Sequence, residues 1–244
     1  MEKVGSRCEL HLYEGQGHGF FNYRNYDFYK ATVSEADKFL SSLGIIKSDQ
    51  ETDFFKDEIS DNAGTVKIGN QSWMAKNLDV ASYRNGDPIP RVNDPSEWAG
   101  LKTGAWCYYG NSPEIGETYG KLYNWYAVAD PRGLAPEGFH VPIDEEWAVL
   151  VENLGGTDLA GVKLKSTNHW MEGPGTNASG FNALPVGGRS GFGAYARLGG
   201  YGRWWSSSGT GTEAALFLLH YFDHLTGRYA TDSRSGFAVR CIKD

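Results

Sequence analysis

From Trp106 to Cys241 the sequence is a succession of short aromatic runs set between glycines: W-C-Y-Y at 106–109, Y-G-K-L-Y-N-W-Y at 119–126, H-V-P-I-D-E-E-W at 140–147, R-W-W-S-S-S at 203–208 and G-F-A-V-R-C at 236–241. Runs this short, with glycines at the joints, leave little length for regular helices and point to a loop-rich α+β fold of short strands and one or two helices. The chain carries 8 Trp, 14 Tyr and 12 Phe, and a buried ring covers about 150–250 Å², more than one small core uses. Some rings should therefore reach the surface and form a contact face.

One helix is predicted from Asp144, just after Pro142, with the Asp144 carboxylate as its cap, Trp147, Leu150 and Leu154 on one face and Gly155-Gly156 as the stop. A second is predicted over 158–165, with Leu159, Val162 and the stem of Lys163 turned inward. Leu216 to Phe222 and Phe237 to Ile242 read as strands. Arg240 would be an inward or edge cation serving as a structural hydrogen-bond or ion-pair partner.

The N-terminal region has a different pattern. Residues 9–15 alternate like a strand, Gly15-Gln16-Gly17-His18-Gly19 follows as a loop, and Asp27 to Leu43 places Phe28, Val33, Ala36, Phe39, Leu40 and Leu43 at helical spacing. Residues 47–63 are acidic and aperiodic, which reads as a linker. The chain is thus expected to comprise an appendage at 1–46, a linker at 47–63 and a main domain at 64–244.

The net charge is −7 with no basic block, which argues against nucleic acid as a partner. No run approaches the ~20 apolar residues of a membrane span, and Met1-Glu2-Lys3-Val4-Gly5 lacks the apolar core of a signal peptide, so membrane insertion is not expected. Cys8, Cys107 and Cys241 lack zinc-ligand spacing, and no complete nucleotide-binding glycine motif occurs, so no cofactor is expected. His220 and His224 lie in a strand-like stretch, where positions four apart are about 13 Å distant, too far for one ion. Calcium stays open, because its oxygen ligands leave little spacing signature outside the EF-hand.

The aromatic and glycine signatures, together with Gly64-Thr65-Val66-Lys67-Ile68-Gly69 and Trp73-Met74-Ala75-Lys76-Asn77-Leu78, resemble the Fibrobacter succinogenes major paralogous domain. That family is in turn similar to the C-type-lectin-like fold of the sulfatase-modifying proteins, whose oxidising cysteine motif this chain does not carry. The resemblance implies a lectin-like fold with a C-terminal strand returning to the centre of a sheet. It also implies a secreted or cell-surface location. Cys107 and Cys241 fall inside its motifs; they either form a disulfide, worth about 4 kcal/mol for so long a loop, or remain a pair of buried free thiols. Residues 9–44 resemble the last segment of an α/β-hydrolase of the esterase or prolyl-oligopeptidase type, which would make His18 the base of a triad. No G-x-S-x-G elbow accompanies it: Ser190 follows Gly188 but precedes Phe192 two residues on, so His18 reads as vestigial.

For binding, flat rings suit the apolar faces of sugars, and hydroxyl, imidazole and carboxylate groups fix hydroxyl directions. Trp205, Ser207, His220, Tyr221, Asp223, His224 and Tyr229 form the candidate contact set. Trp204 and Trp205 themselves lean toward the core, which leaves His220 to Tyr229 as the main contact stretch. The leading expectation is a non-catalytic interaction module with a variable loop face for carbohydrate or protein. The alternatives are the tail of a secreted esterase or peptidase and a lectin-like receptor diversified by a retroelement, whose variable proteins end in a similar G-F-x-V-R.

Overall fold

The computed structural model describes residues 64–210, 212–221 and 226–244, with Thr32, Glu35, Ala36 and 38–43 of the N-terminal region. The chain divides into two units, Met1–Lys56 and Asp57–Asp244. In the first, Thr32, Glu35, Ala36 and 38–42 are helical, and the Leu43 N–H closes the last turn on the Phe39 carbonyl at 3.2 Å. The strand and loop expected before this helix, His18 included, and the acidic linker lie outside the described residues.

The larger unit begins with a hairpin of β1 (Thr65–Ile68) and β2 (Gln71–Met74). Gly69 turns it at φ 60°, a left-handed value, and a Cβ there would meet the Asn153 side chain. Helix α1 (Pro95–Ala99) starts on Asp94, whose carboxylate accepts from the Ser96 and Glu97 N–H groups. Next come β3 (Trp106–Cys107), α2 (Pro113–Tyr119), β4 (Leu122–Asn124), α3 (Trp125–Val128) and β5 (Phe139–His140). Helices α4 (Asp144–Asn153) and α5 (Thr157–Leu164) precede β6 (Gly188–Arg189), β7 (Tyr195–Ala196), β8 (Tyr201–Thr210), β9 (Glu213–His220), β10 (Thr226–Asp232), β11 (Gly236–Phe237) and β12 (Ile242–Lys243).

Both predicted helices exist, with two corrections. In α4, Glu146 reaches back to the Ile143 N–H at 2.9 Å, so Ile143 occupies the cap position and Asp144 is the first helical residue. Asp144 instead takes Arg228 at 2.9 Å, while Trp147 and Leu150 are buried as predicted. In α5 the inward line is Ala160, Gly161 and Leu164, whereas Leu159 is 51% exposed. Small residues on the inner side let this helix lie close to its neighbours.

The strands make three antiparallel sheets, ordered β1-β2-β12-β5, β3-β4-β11-β6-β7 and β10-β9-β8. Residues 236–243 tie all three together. β11 sits between β4 and β6, Ala238 bridges to Trp204 of β8, and β12 sits between β2 and β5. The single strand expected from Phe237 to Ile242 is therefore two strand ends with a bridge between them. Arg240, on this segment, is 0% exposed: Nη1 donates to the Met74 carbonyl at 2.9 Å and to that of Phe181, and Nη2 and Nε donate to Asn77 Oδ1 at 2.9 and 3.2 Å. Burial pulls its pKa down to about 9, which still leaves it charged at neutral pH.

All eight tryptophans are buried, so the surplus of aromatic rings is not met by exposed indoles. Seven donate their indole N–H, most of them to a distant carbonyl: Trp98 to Arg234, Trp106 to Ile89, Trp125 to Ser206, Trp170 to Ala183 and Trp205 to Tyr123, with Trp73 and Trp204 reaching Gln71 and Asn77 side chains. Because successive side chains of a strand point to opposite faces, Trp204 and Trp205 enter different cores. Trp204 joins Trp73, Trp147, Phe181 and Phe217, and Trp205 packs with Leu216 and on Phe237 at 4.8 Å.

The cysteines follow the same division. Cys107, paired with Leu122 on β4, packs in the first core, and Cys241 packs in the second while its carbonyl accepts from the Met74 N–H. Both are buried free cysteines, one in each core. Burial raises both pKa values, that of Cys241 to about 12, and keeps the thiols protonated.

Two predictions follow from the closing segment. Arg240→Met removes the donor that four buried contacts share, and should cost about 3–5 kcal/mol in urea unfolding; a loss under about 1 kcal/mol would show that Arg240 does not organise the segment. His140 lies between Asp244 at 2.7 Å and Glu146 at 2.9 Å. Burial alone would lower its pKa, but these two carboxylates outweigh burial and leave it raised above 6.5. A raised folded-state pKa means that the stabilisation is fully present below the unfolded value and is lost as pH rises through the folded one. Wild-type melting temperature should therefore fall, relative to His140→Gln, between about pH 6 and pH 8; parallel curves for the two proteins would refute the linkage.

Candidate functional site

The pleat of the three-stranded sheet selects which side chains meet. The pairs Tyr201↔His220, Arg203↔Leu218 and Trp205↔Leu216 share one face, joined from the other side by Gly227 opposite Leu218 and Tyr229 opposite Leu216. Burial grades along that face. Trp205 and Leu216 are buried, Arg203, Leu218, Tyr201 and His220 are half-buried, and Tyr229 is 57% exposed.

Between this face and strands β6 and β7 runs an open groove of about 340 Å³, walled by Gly188, Arg203, Leu216, Leu218, Tyr229 and Phe237. Its volume lies at the low end of small-ligand pockets, which span about 300–1,000 Å³. Tyr229 does not stand straight up from the strand. A Cβ on Gly227 would come within 2.4 Å of the Tyr229 ring, so the ring leans across Gly227 and becomes part of the groove wall beside Leu218. At the end of the face, Tyr201 and His220 meet edge to face at 4.1 Å, and Tyr221 stacks on His220 at 4.9 Å.

Arg203 is the groove's cation. Its guanidinium sits 4.6 Å from the Tyr201 ring and 5.4 Å from that of Phe237, and it has no hydrogen-bond acceptor or carboxylate among the described residues. Burial lowers its pKa, Tyr201 partly offsets this, and Arg197 adds to the lowering. Arg189, also in the groove lining, is different: it is 0% exposed and spends its N–H groups on the carbonyls of Gly193, Val92 and Asn93.

A larger cleft, about 590 Å³, lies on the opposite face of the sheet against α4. Its cation, Arg228, already has Asp144 as partner. The groove around Arg203 is the better candidate on charge.

Of the residues singled out from sequence, His220, Tyr221 and Tyr229 fall on or beside this face. Trp205 is at the groove's base but 0% exposed with its N–H on Tyr123, which makes it a core residue and not a contact residue. Ser207 lies within the irregularity that interrupts β8 pairing between Trp205 and Gly209, its N–H goes to the Pro142 carbonyl, and it is not among the residues that line the groove. Asp223 and His224, like His18, lie outside the described residues. Arg203 and Leu218 were missed. Period-two counting back from Trp205 and from His220 places both on the same face, and that is the signal that finds them.

Among the described residues no group of three or more His, Cys, Asp or Glu could hold a metal ion, and no helix is long and apolar enough to cross a membrane. The family model of the Fibrobacter succinogenes major domain matches residues 66–243. The chain belongs to this family. The match spans all three sheets, and the groove's described lining residues, from Gly188 to Phe237, all fall within it. No curated protein and no solved structure matches the chain.

Gly227→Ala should push the Tyr229 ring out of the groove wall, because the atom in the way is the end of a movable side chain. The expected result is a shift of the Tyr229 ring resonances with stability unchanged to within about 1 kcal/mol. Unmoved resonances would mean that the ring does not rest on Gly227.

Proposed function

We propose that the domain is a non-catalytic interaction module that captures carbohydrate in the groove on the open face of β8, β9 and β10. The observation that carries this reading is the exposed Tyr229 ring held across Gly227, next to half-buried Leu218 and in line with Tyr201 and His220. An aromatic face fixed beside apolar and hydroxyl groups offers a stacking platform for a sugar ring, and Thr231 and Ser190 in the lining offer hydrogen bonds to sugar hydroxyls. Among the described residues the lining holds no histidine, cysteine or carboxylate to serve as a base or nucleophile, which favours binding over catalysis.

A C-type-lectin-like fold belongs to the same reading. The small antiparallel sheets, with a C-terminal strand at the middle of the five-stranded one, support it. A secreted or cell-surface setting, where a glycan would be met, is part of the same reading.

Tyr229→Ala and His220→Ala, tested on a glycan array and by calorimetry, should each weaken capture about tenfold, equivalent to about 1.4 kcal/mol, with little change in melting temperature. Glycan capture that survives both substitutions in folded protein would place the ligand surface elsewhere.

A further inference from the structure

We infer that the groove selects an acidic sugar, a uronic-acid unit whose ring stacks on Tyr229 and whose carboxylate is received by the Arg203 guanidinium. This rests on the reading of the groove as a carbohydrate site and adds the charge of the ligand to it.

This domain treats its other buried arginines differently. Arg189 and Arg240 are each 0% exposed, and each is surrounded by backbone carbonyls or a side-chain amide oxygen that take up its N–H groups. Where the fold withdraws a guanidinium from water, it supplies acceptors. Arg203 is withdrawn in part and receives none among the described residues: its neighbours are the faces of Tyr201 and Phe237. Aromatic faces hold a cation in position without occupying its N–H groups or neutralising its charge.

The surroundings sharpen this. Among the described residues the groove lining contains no Asp or Glu, although the chain as a whole carries a net charge of −7. Arg197, the charged neighbour that also faces Tyr201 at 5.3 Å, is a second cation. The groove is therefore a positive spot on an acidic protein, and its free fork of N–H donors matches a planar carboxylate by two parallel hydrogen bonds. Leu218 and Tyr229 beside it are suited to a ring and not to a bare ion. A uronate presents both parts at once, a pyranose face and a carboxylate on the ring.

The test uses the full chain with trigalacturonate and a glucuronate-containing trisaccharide, each beside its carboxyl-reduced counterpart and a sulfated neutral trisaccharide, by calorimetry. The acidic forms should bind at least about tenfold tighter than the reduced forms. Arg203→Gln should erase that preference while leaving the weaker binding of the reduced sugar, and Arg203→Lys should restore part of it. In wild-type protein, isotope-labelled guanidinium resonances of Arg203 should shift with the acidic sugars and not with the reduced ones, a readout that holds even if the variants fold poorly. Equal binding of acidic and reduced forms, a preference that persists in folded Arg203→Gln, or tighter binding of the sulfated sugar would overturn the uronate assignment and leave the carbohydrate module standing. No binding by any sugar, with Tyr229 resonances unmoved, would bring down the carbohydrate reading and this inference with it.

Discussion

The segment from Gly236 to Lys243 is the interaction on which the fold depends. Strands of two to four residues, such as β3, β4, β6, β7, β11 and β12, bury too little to be stable as separate sheets. Here one run of eight positions lies between β4 and β6, touches β8 at Ala238, gives the Val239 and Cys241 carbonyls to Leu78 and Met74, and ends between β2 and β5. These contacts join the first and last parts of the domain. A topology closed by its C-terminal residues is rich in long-range pairings and is expected to fold slowly for its size.

Charge inside this domain is managed mainly by carbonyl groups. Among the described residues Arg240 and Arg189 have no carboxylate partner, and they are held by backbone carbonyls, mostly in loops, by Asn77 Oδ1 and by the rings of Phe181, Trp98 and Tyr195. An irregular, glycine-rich chain leaves many such carbonyls, and a guanidinium with its several donors gathers them efficiently. The loops and the arginines thus stabilise each other. Arg203 departs from that arrangement where one face of the sheet opens into a groove.

Much of the architecture was legible in the residues. The Pro142 and Gly155-Gly156 boundaries located α4, and the loop-rich mixture of short strands and helices followed from the spacing of glycines. Other features were not legible. Asp144 looked like a cap, but Glu146 two residues later could do the same work, and only the fold shows that Arg228 claims Asp144. Leu159 looked inward because it is apolar, whereas the close packing of α5 needed the small residues Ala160 and Gly161. For the candidate site, His220, Tyr221 and Tyr229 stand out in the sequence as a polar aromatic stretch, and the fold sets them on or beside one sheet face. Arg203 was hidden inside an aromatic signature, because its significance lies in the acceptors it lacks, which no sequence displays.

Trp204 and Trp205 are adjacent yet belong to separate cores, and β9 repeats the division with Phe217 and Leu219 in one and Leu216 in the other. Inserting or deleting a single residue in β8 would exchange the contents of the two cores and turn Arg203 away from the groove. The strand is in effect length-locked. If the groove binds as proposed, its preference is open to substitution at Arg203, Leu218 and Tyr229, and closed to any lengthening of the strands that carry it.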